Sequence, residues 1–136
     1  MISLEISNDQ TILFGACKTK EGDGALLAFS FDQYFDILSK ELYQGQPLST
    51  MIKLKKSDLL LVGAGSRLII VNYLPHKFRI VRNFFSVFEN QSITRLSLHN
   101  NELVILGEKG DSFVHMHFKN NIGEIVVEGE QTSRQS

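Results

Sequence analysis

The sequence predicts an all-β chain built from three similar four-stranded units. In each unit an apolar run reaches a glycine, and a short turn then leads to a second apolar run that ends in an aromatic residue. The glycines Gly15, Gly63 and Gly107 lie 48 and 44 positions apart. The three copies span residues 11–31, 58–73 and 102–118.

A period of about 40–45 residues made of short strands is typical of the blades of a β-propeller. We therefore predict about three four-stranded antiparallel blades, at about residues 1–45, 46–86 and 90–128, followed by a polar tail at 129–136. Three blades do not close a propeller, so the predicted propeller is partial and open.

In the first unit, short runs rich in β-branched and aromatic residues predict the strands. The predicted strands are 2–6, 11–17, 25–31 and 36–42. The stretch 31–42 is the most compatible with helix, but its Tyr34-Phe35 pair and its irregular apolar spacing favour strand.

In the second unit, the apolar runs Leu59-Leu60-Leu61-Val62 and Leu68-Ile69-Ile70-Val71 are continuous and do not alternate with polar residues. Continuous runs indicate strands that are buried on both faces, as neighbouring blades would bury them. The predicted strands are 49–54, 58–63, 67–73 and 78–84.

The third unit repeats the pattern, and the turn residues of all three units agree with it. The predicted strands are 93–98, 102–107, 112–118 and 124–127. Gly22-Asp23-Gly24, Lys56-Ser57-Asp58 and Asn100-Asn101 lie where adjacent strands must reverse, and these residue types tolerate tight hairpins.

The composition is that of one globular domain of 136 residues with a formal net charge of −1. That balance gives no electrostatic reason for direct binding to nucleic acid or to an anionic membrane. Cys17 is the single cysteine, which excludes an intrachain disulfide and favours a reducing compartment. The first ten residues lack the pattern of a signal peptide, and no apolar run has the length of a membrane span.

Three motifs are candidate sites of chemistry, and each has a simpler structural interpretation. Gly63-Ala64-Gly65 follows an apolar strand, but a β-branched run follows it where a dinucleotide site needs a helix. His115 and His117 alternate along a strand and would need a third ligand to bind zinc. Cys17, near two lysines, is more typical of a small buried apolar residue. We therefore expect no catalytic, cofactor-binding or metal-binding residues, and no enzyme.

The order of the elements resembles a known propeller family. The successive elements are GDGALLAFSF, DILSKELYQGQPLSTMIKL, LLLVGAGSRLIIVNY, HKFRIVRNFF and LVILGEKGDSFVHMHFK. They resemble the C-terminal propeller of the family that comprises the large subunit of the UV-damaged DNA-binding protein, the large subunit of the cleavage and polyadenylation specificity factor, and splicing factor 3b subunit 3. The resemblance covers about residues 11–134, and the closing stretch is most similar to the splicing subunit.

The sequence also departs from the family. The aspartate that usually follows the last glycine-ended strand is replaced around Gly107-Glu108-Lys109, and the tryptophan expected near the tail is missing. The resemblance implies a non-catalytic scaffold in a large nuclear complex, the U2-associated part of the spliceosome. Its expected partners are other protein subunits, a helical-repeat subunit among them, with mostly indirect RNA contact and no membrane.

Two alternatives stay open from the sequence. Within the family, the chain could be an adaptor of a cullin-type ubiquitin ligase or a scaffold of mRNA 3′-end processing. Outside it, twelve strands could close into a small β-barrel that binds a ligand, although the continuous runs of the second unit speak against barrel alternation. An open array leaves the faces of its end blades uncovered, so we expect the isolated chain to self-associate.

Overall fold

The computed structural model describes the chain in eight stretches, and all regular structure in them is β-strand. The described residues are 3–8, 10–31, 37–54, 58–74, 79–99, 102–109, 112–119 and 124–132. The strands in these stretches are β1 (Ser3–Ile6), β2 (Ile12–Lys18), β3 (Gly24–Phe31), β4 (Ile37–Gly45), β5 (Leu48–Lys53), β6 (Leu59–Ala64), β7 (Arg67–Leu74), β8 (Arg79–Ser86), β9 (Ile93–His99), β10 (Glu102–Gly107), β11 (Ser112–Lys119) and β12 (Glu124–Thr132).

The strands form three antiparallel sheets of four, and each sheet is a meander of consecutive strands. The first sheet has the order β1-β2-β3-β4, the middle sheet β5-β6-β7-β8 and the last sheet β9-β10-β11-β12. The prediction of an all-β chain in four-stranded antiparallel units is therefore confirmed. None of the described strands closes a sheet into a barrel, because each sheet keeps two edge strands. No helix in the described stretches is long and apolar enough to span a membrane.

Every predicted strand has a counterpart, and the largest differences are at the ends of two strands, which continue well beyond the predicted end. β4 runs to Gly45 instead of 42, and β12 runs to Thr132 instead of 127, into the predicted polar tail. Both are the last strand of a meander, and the ladder that holds each contains a β-bulge. A bulge places an extra residue in one strand, so that strand must be longer to pair along its whole neighbour.

The middle sheet is apolar on both faces, as the continuous runs predicted. Residues 59–62 and 68–71 are all at most 4% exposed. In β6, Leu60 and Val62 pack in one core with the first sheet, whereas Leu59 and Leu61 pack in a second core with the last sheet. Side chains that alternate between two cores need no polar residue in the strand, which explains why the sequence shows no alternation.

Side chains of the first sheet complete the first core. Phe14 and Tyr73 are both fully buried, and their rings meet at 5.1 Å between centroids with a tilt of 53°. The tilted arrangement is favourable for two aromatic rings and adds to the area that they bury. The other members from the first sheet are Ile12, Ala16, Leu26, Ala28 and Leu42.

The sheets approach one another mainly through their first strands. β5 contacts β1, β2 and β3 on one side and β9 on the other, and β6 also contacts β9. Hydrogen bonds bridge the same junctions: Lys53 Nζ donates to the Ile6 carbonyl at 2.7 Å, and Ile93 N donates to the Gly65 carbonyl at 2.7 Å. The first strand of each sheet therefore lies on the side where the sheets converge.

Because both faces of the middle sheet are buried, a cavity-forming substitution on either face should destabilise the fold by a similar amount. We expect Leu60→Ala and Leu61→Ala each to lower the free energy of unfolding by about 2–5 kcal/mol, because each leaves a cavity in a different core. Leu4→Ala, at a side chain that is 51% exposed, is the control and should cost about 0.5 kcal/mol or less. Chemical denaturation measures all three, and a small loss for either buried leucine would mean that its face is open to solvent.

Candidate interaction surfaces

The first sheet turns an apolar face away from the middle sheet. Because Ile12 and Phe14 of β2 belong to the first core, the residues that alternate with them lie on the opposite face. Register places Ile6 of β1 beside Leu13, and Leu13 beside Phe29 of β3. Residues directly opposite in antiparallel strands share a face, so these three side chains form one row.

A second row runs parallel to the first. Leu4 lies opposite Gly15, which lies opposite Leu27. We call Leu4, Ile6, Leu13, Leu27 and Phe29 the outer face of the first sheet.

Exposure on the outer face is highest at β1. Leu4 is 51% and Ile6 42% exposed, whereas the other three side chains are half-buried. The rows end on β4 at Ser39 and Glu41, which are both exposed. Contiguous apolar side chains with a polar border are the pattern of a surface that binds a protein or another apolar partner.

A smaller aromatic and cationic cluster bridges the first and middle sheets at their last strands. Tyr43 of β4 and Phe84 of β8 have ring centroids 6.0 Å apart, and the Arg67 guanidinium carbon lies 5.0 Å from the centroid of the Phe84 ring. The Tyr43 hydroxyl accepts a hydrogen bond from Gln46 N at 2.7 Å, which fixes that ring. We call Tyr43, Phe84 and Arg67 the rim cluster.

The rim cluster combines accessibility with a fixed geometry. Phe84 is 40% exposed and Arg67 is exposed, although each packs against a neighbour. A cation over an aromatic ring stabilises by about 0.5–1 kcal/mol at an exposed site. Tyrosine, arginine and phenylalanine are also residue types that are enriched in protein interfaces. No motif in the sequence predicts this cluster, because its members come from three strands that are separated by turns.

The Gly63-Ala64-Gly65 motif belongs to a hairpin between β6 and β7. Gly65 has a positive φ of 60°, in the left-handed region that favours glycine. A Cβ on Gly63 would lie 2.9 Å from Ser49 Oγ and 3.0 Å from Ile93 Cγ2. Both glycines are therefore explained by the backbone and by packing, and a strand follows where a dinucleotide site would need a helix.

The histidine pair lies on β11, where the structure describes the backbone alone. His117 pairs with Glu102 of β10, and Glu102 pairs on its other side with His99 of β9. His115 pairs with Val104. The sequence did not predict the backbone row of residues 99, 102 and 117, because it depends on the register of three strands. The prediction of neighbouring imidazoles falls on side chains outside the described ones.

Cys17 lies one position before the end of β2, opposite Ala25, and is half-buried, so it is less buried than predicted. Among the described residues, no three His, Cys, Asp or Glu side chains are grouped closely enough to hold a metal ion.

No protein-family model matches the chain, and no curated protein matches it either. The structural features that suggest a role are therefore the two surfaces: the outer face of the first sheet and the rim cluster.

The contacts of Gly63 predict that the hairpin tolerates no side chain there. Gly63→Ala should lower the free energy of unfolding by about 1–3 kcal/mol, because β5 and β9 would have to move away from the new methyl group. Ser66→Ala in the same hairpin is the control, since the bonds that Ser66 is known to accept use its backbone carbonyl. Thermal unfolding measures both, and an unchanged melting temperature for Gly63→Ala would contradict the close packing.

Proposed function

We propose that the three sheets are blades of a partial, open β-propeller and that the chain is a non-catalytic protein-interaction scaffold. The contacts of β5 with β1 and β9 support this arrangement, because blades of a propeller converge through their first strands. The two separate cores support it too, since each blade of a propeller packs only against its neighbours.

The observation that carries the scaffold role is the outer face of the first sheet. In the middle sheet, each apolar face is covered by a neighbouring sheet. The outer face has no such cover from the described residues, and Leu4 and Ile6 stay about half exposed. Burial of apolar area stabilises by about 25 cal/mol per Å², so a partner that covers this face gains binding free energy.

The sequence resemblance suggests which complex the scaffold serves. We propose a subunit of the U2-associated splicing factor 3b complex, which acts in the nucleus in pre-mRNA splicing. A helical-repeat subunit is the kind of partner that we propose for the outer face, because an amphipathic helix presents an apolar stripe to such a surface. RNA contact would then be mostly indirect, in agreement with the near-neutral net charge.

Affinity capture from native cell extract, with mass spectrometry of the bound proteins, tests both the complex and the surface. The wild-type chain should retain proteins of the U2 particle, including a helical-repeat subunit. Leu4→Asp combined with Ile6→Asp should lose them, because two carboxylates at the interface would have to be desolvated. Lys20→Asp, in the exposed turn between β2 and β3, changes the net charge by the same amount; it is the matched control and should retain them.

Two results would contradict the proposal, provided that circular dichroism shows each bait to be folded. Recovery of no U2-particle protein by the wild-type chain would reject the complex. Equal recovery by the wild-type chain and the double aspartate variant would reject the outer face as the docking surface. Recovery of cullin-type ligase components would instead support the adaptor alternative.

A further inference from the structure

Charge is divided unevenly between two edge strands of this chain. β8 contains two arginines, Arg79 and Arg82, and no acidic residue, although the whole chain has a net charge of −1. β12 has the opposite composition, with three glutamates and no lysine or arginine. Its glutamates are Glu124, Glu128 and Glu130.

Both charged strands lie at the edge of a sheet. β8 ends the order of the middle sheet and β12 is an end strand of the last sheet, so each pairs with one described strand only. The second side of an edge strand offers backbone N–H and C=O groups that can pair with a strand from another molecule. β8 has 8 residues and β12 has 9, and both are long enough for such pairing.

We propose that β8 of one copy pairs with β12 of a second copy, so that two sheets join into one. Backbone hydrogen bonds between the strands supply part of the binding free energy, as in other cases of strand addition. The opposite charges of the two strands select the pairing and speed association.

Charge also disfavours the symmetric alternatives. Pairing of β8 with a second β8 would bring two strands of basic composition together, and like charges on facing strands are destabilising. Pairing of β12 with a second β12 would bring three glutamates together with three. The charged residues therefore disfavour pairing of each edge with a strand of like charge and favour pairing with the edge of opposite charge.

The rim cluster adds an apolar anchor beside the basic edge. Phe84 belongs to β8 and is 40% exposed, and Arg67 holds its guanidinium over the Phe84 ring. A strand that pairs with β8 beside the rim cluster needs carboxylates for the arginines and apolar residues for Phe84. The sequence of β12, EIVVEGEQT, provides Val126 and Val127 between its glutamates.

The proposed contact is head to tail: it joins β8 of one copy to β12 of another. The other β12 edge and the other β8 edge of the pair stay available for further copies. Such heterologous contacts build rings or open chains instead of symmetric dimers. Association should therefore grow with protein concentration, and it should weaken with salt because salt screens the attraction between the two charged strands. The outer face of the first sheet takes no part, so this inference stands apart from the proposed scaffold role.

Sedimentation velocity on the full chain tests the pairing with two charge-reversed variants. One variant carries Arg79→Glu and Arg82→Glu, and the other carries Glu128→Arg and Glu130→Arg. Each alone should associate about tenfold more weakly than the wild type or worse, because attraction becomes repulsion at the contact. A mixture of the two variants should associate again, because each then meets an edge of opposite charge.

Two control variants separate the edge contact from other causes. Lys18→Glu with Lys20→Glu changes the net charge as much as the arginine variant, but at exposed positions of the first sheet, and should associate like the wild type. Leu4→Asp with Ile6→Asp should also leave association unchanged.

The outcomes are distinct. A monodisperse wild-type monomer, or reversed variants that associate as well as the wild type, would overturn the proposal. Loss of association in the Leu4 and Ile6 variant alone would overturn it too, because the contact would then use the outer face. Failure of the mixture to associate, when each variant is folded, would mean that the charges do not face each other.

Discussion

The rest of this fold depends on one constraint: the middle sheet is apolar on both faces and must be covered twice. The residues 59–62 of β6 and 68–71 of β7 supply this apolar surface, and none is more than 4% exposed. A sheet of this kind cannot exist alone in water, because one face would stay open at a cost of about 25 cal/mol for each Å² of exposed apolar area. The first and last sheets are therefore required by the middle one.

Each sheet that covers the middle sheet has a second face of its own, and an apolar second face also needs a cover. The first sheet uses Ile12 and Phe14 against the middle sheet and presents Leu13 and Phe29 on its other side. The described strands form three separate four-stranded sheets, and none of them covers this face. The proposed scaffold role rests on this geometry, because the proposed partner covers the face that the described residues leave uncovered. The charged edges of β8 and β12 offer a second, independent contact.

The sequence predicted what depends on local pattern and missed what depends on register. The strands and the double burial of the middle unit follow from residue type and period, as the run 59–62 shows. The extension of β12 to Thr132 follows from its pairing with β11 as far as Ser112, across a bulge, and polar residues gave no signal of it. The rim cluster joins Tyr43, Arg67 and Phe84 across two sheets, so no spacing along the chain reveals it.

Native-state hydrogen exchange of the backbone amides tests the double coverage of the middle sheet most directly. If both faces are covered, the amides of β6 and β7 exchange only when the whole chain unfolds, with one common free energy that equals the global value. β1, a short edge strand with Leu4 and Ile6 exposed, should exchange through smaller local openings. Exchange of the β6 and β7 amides as fast as those of β1 would contradict the account, because the middle sheet would then open without its covering sheets.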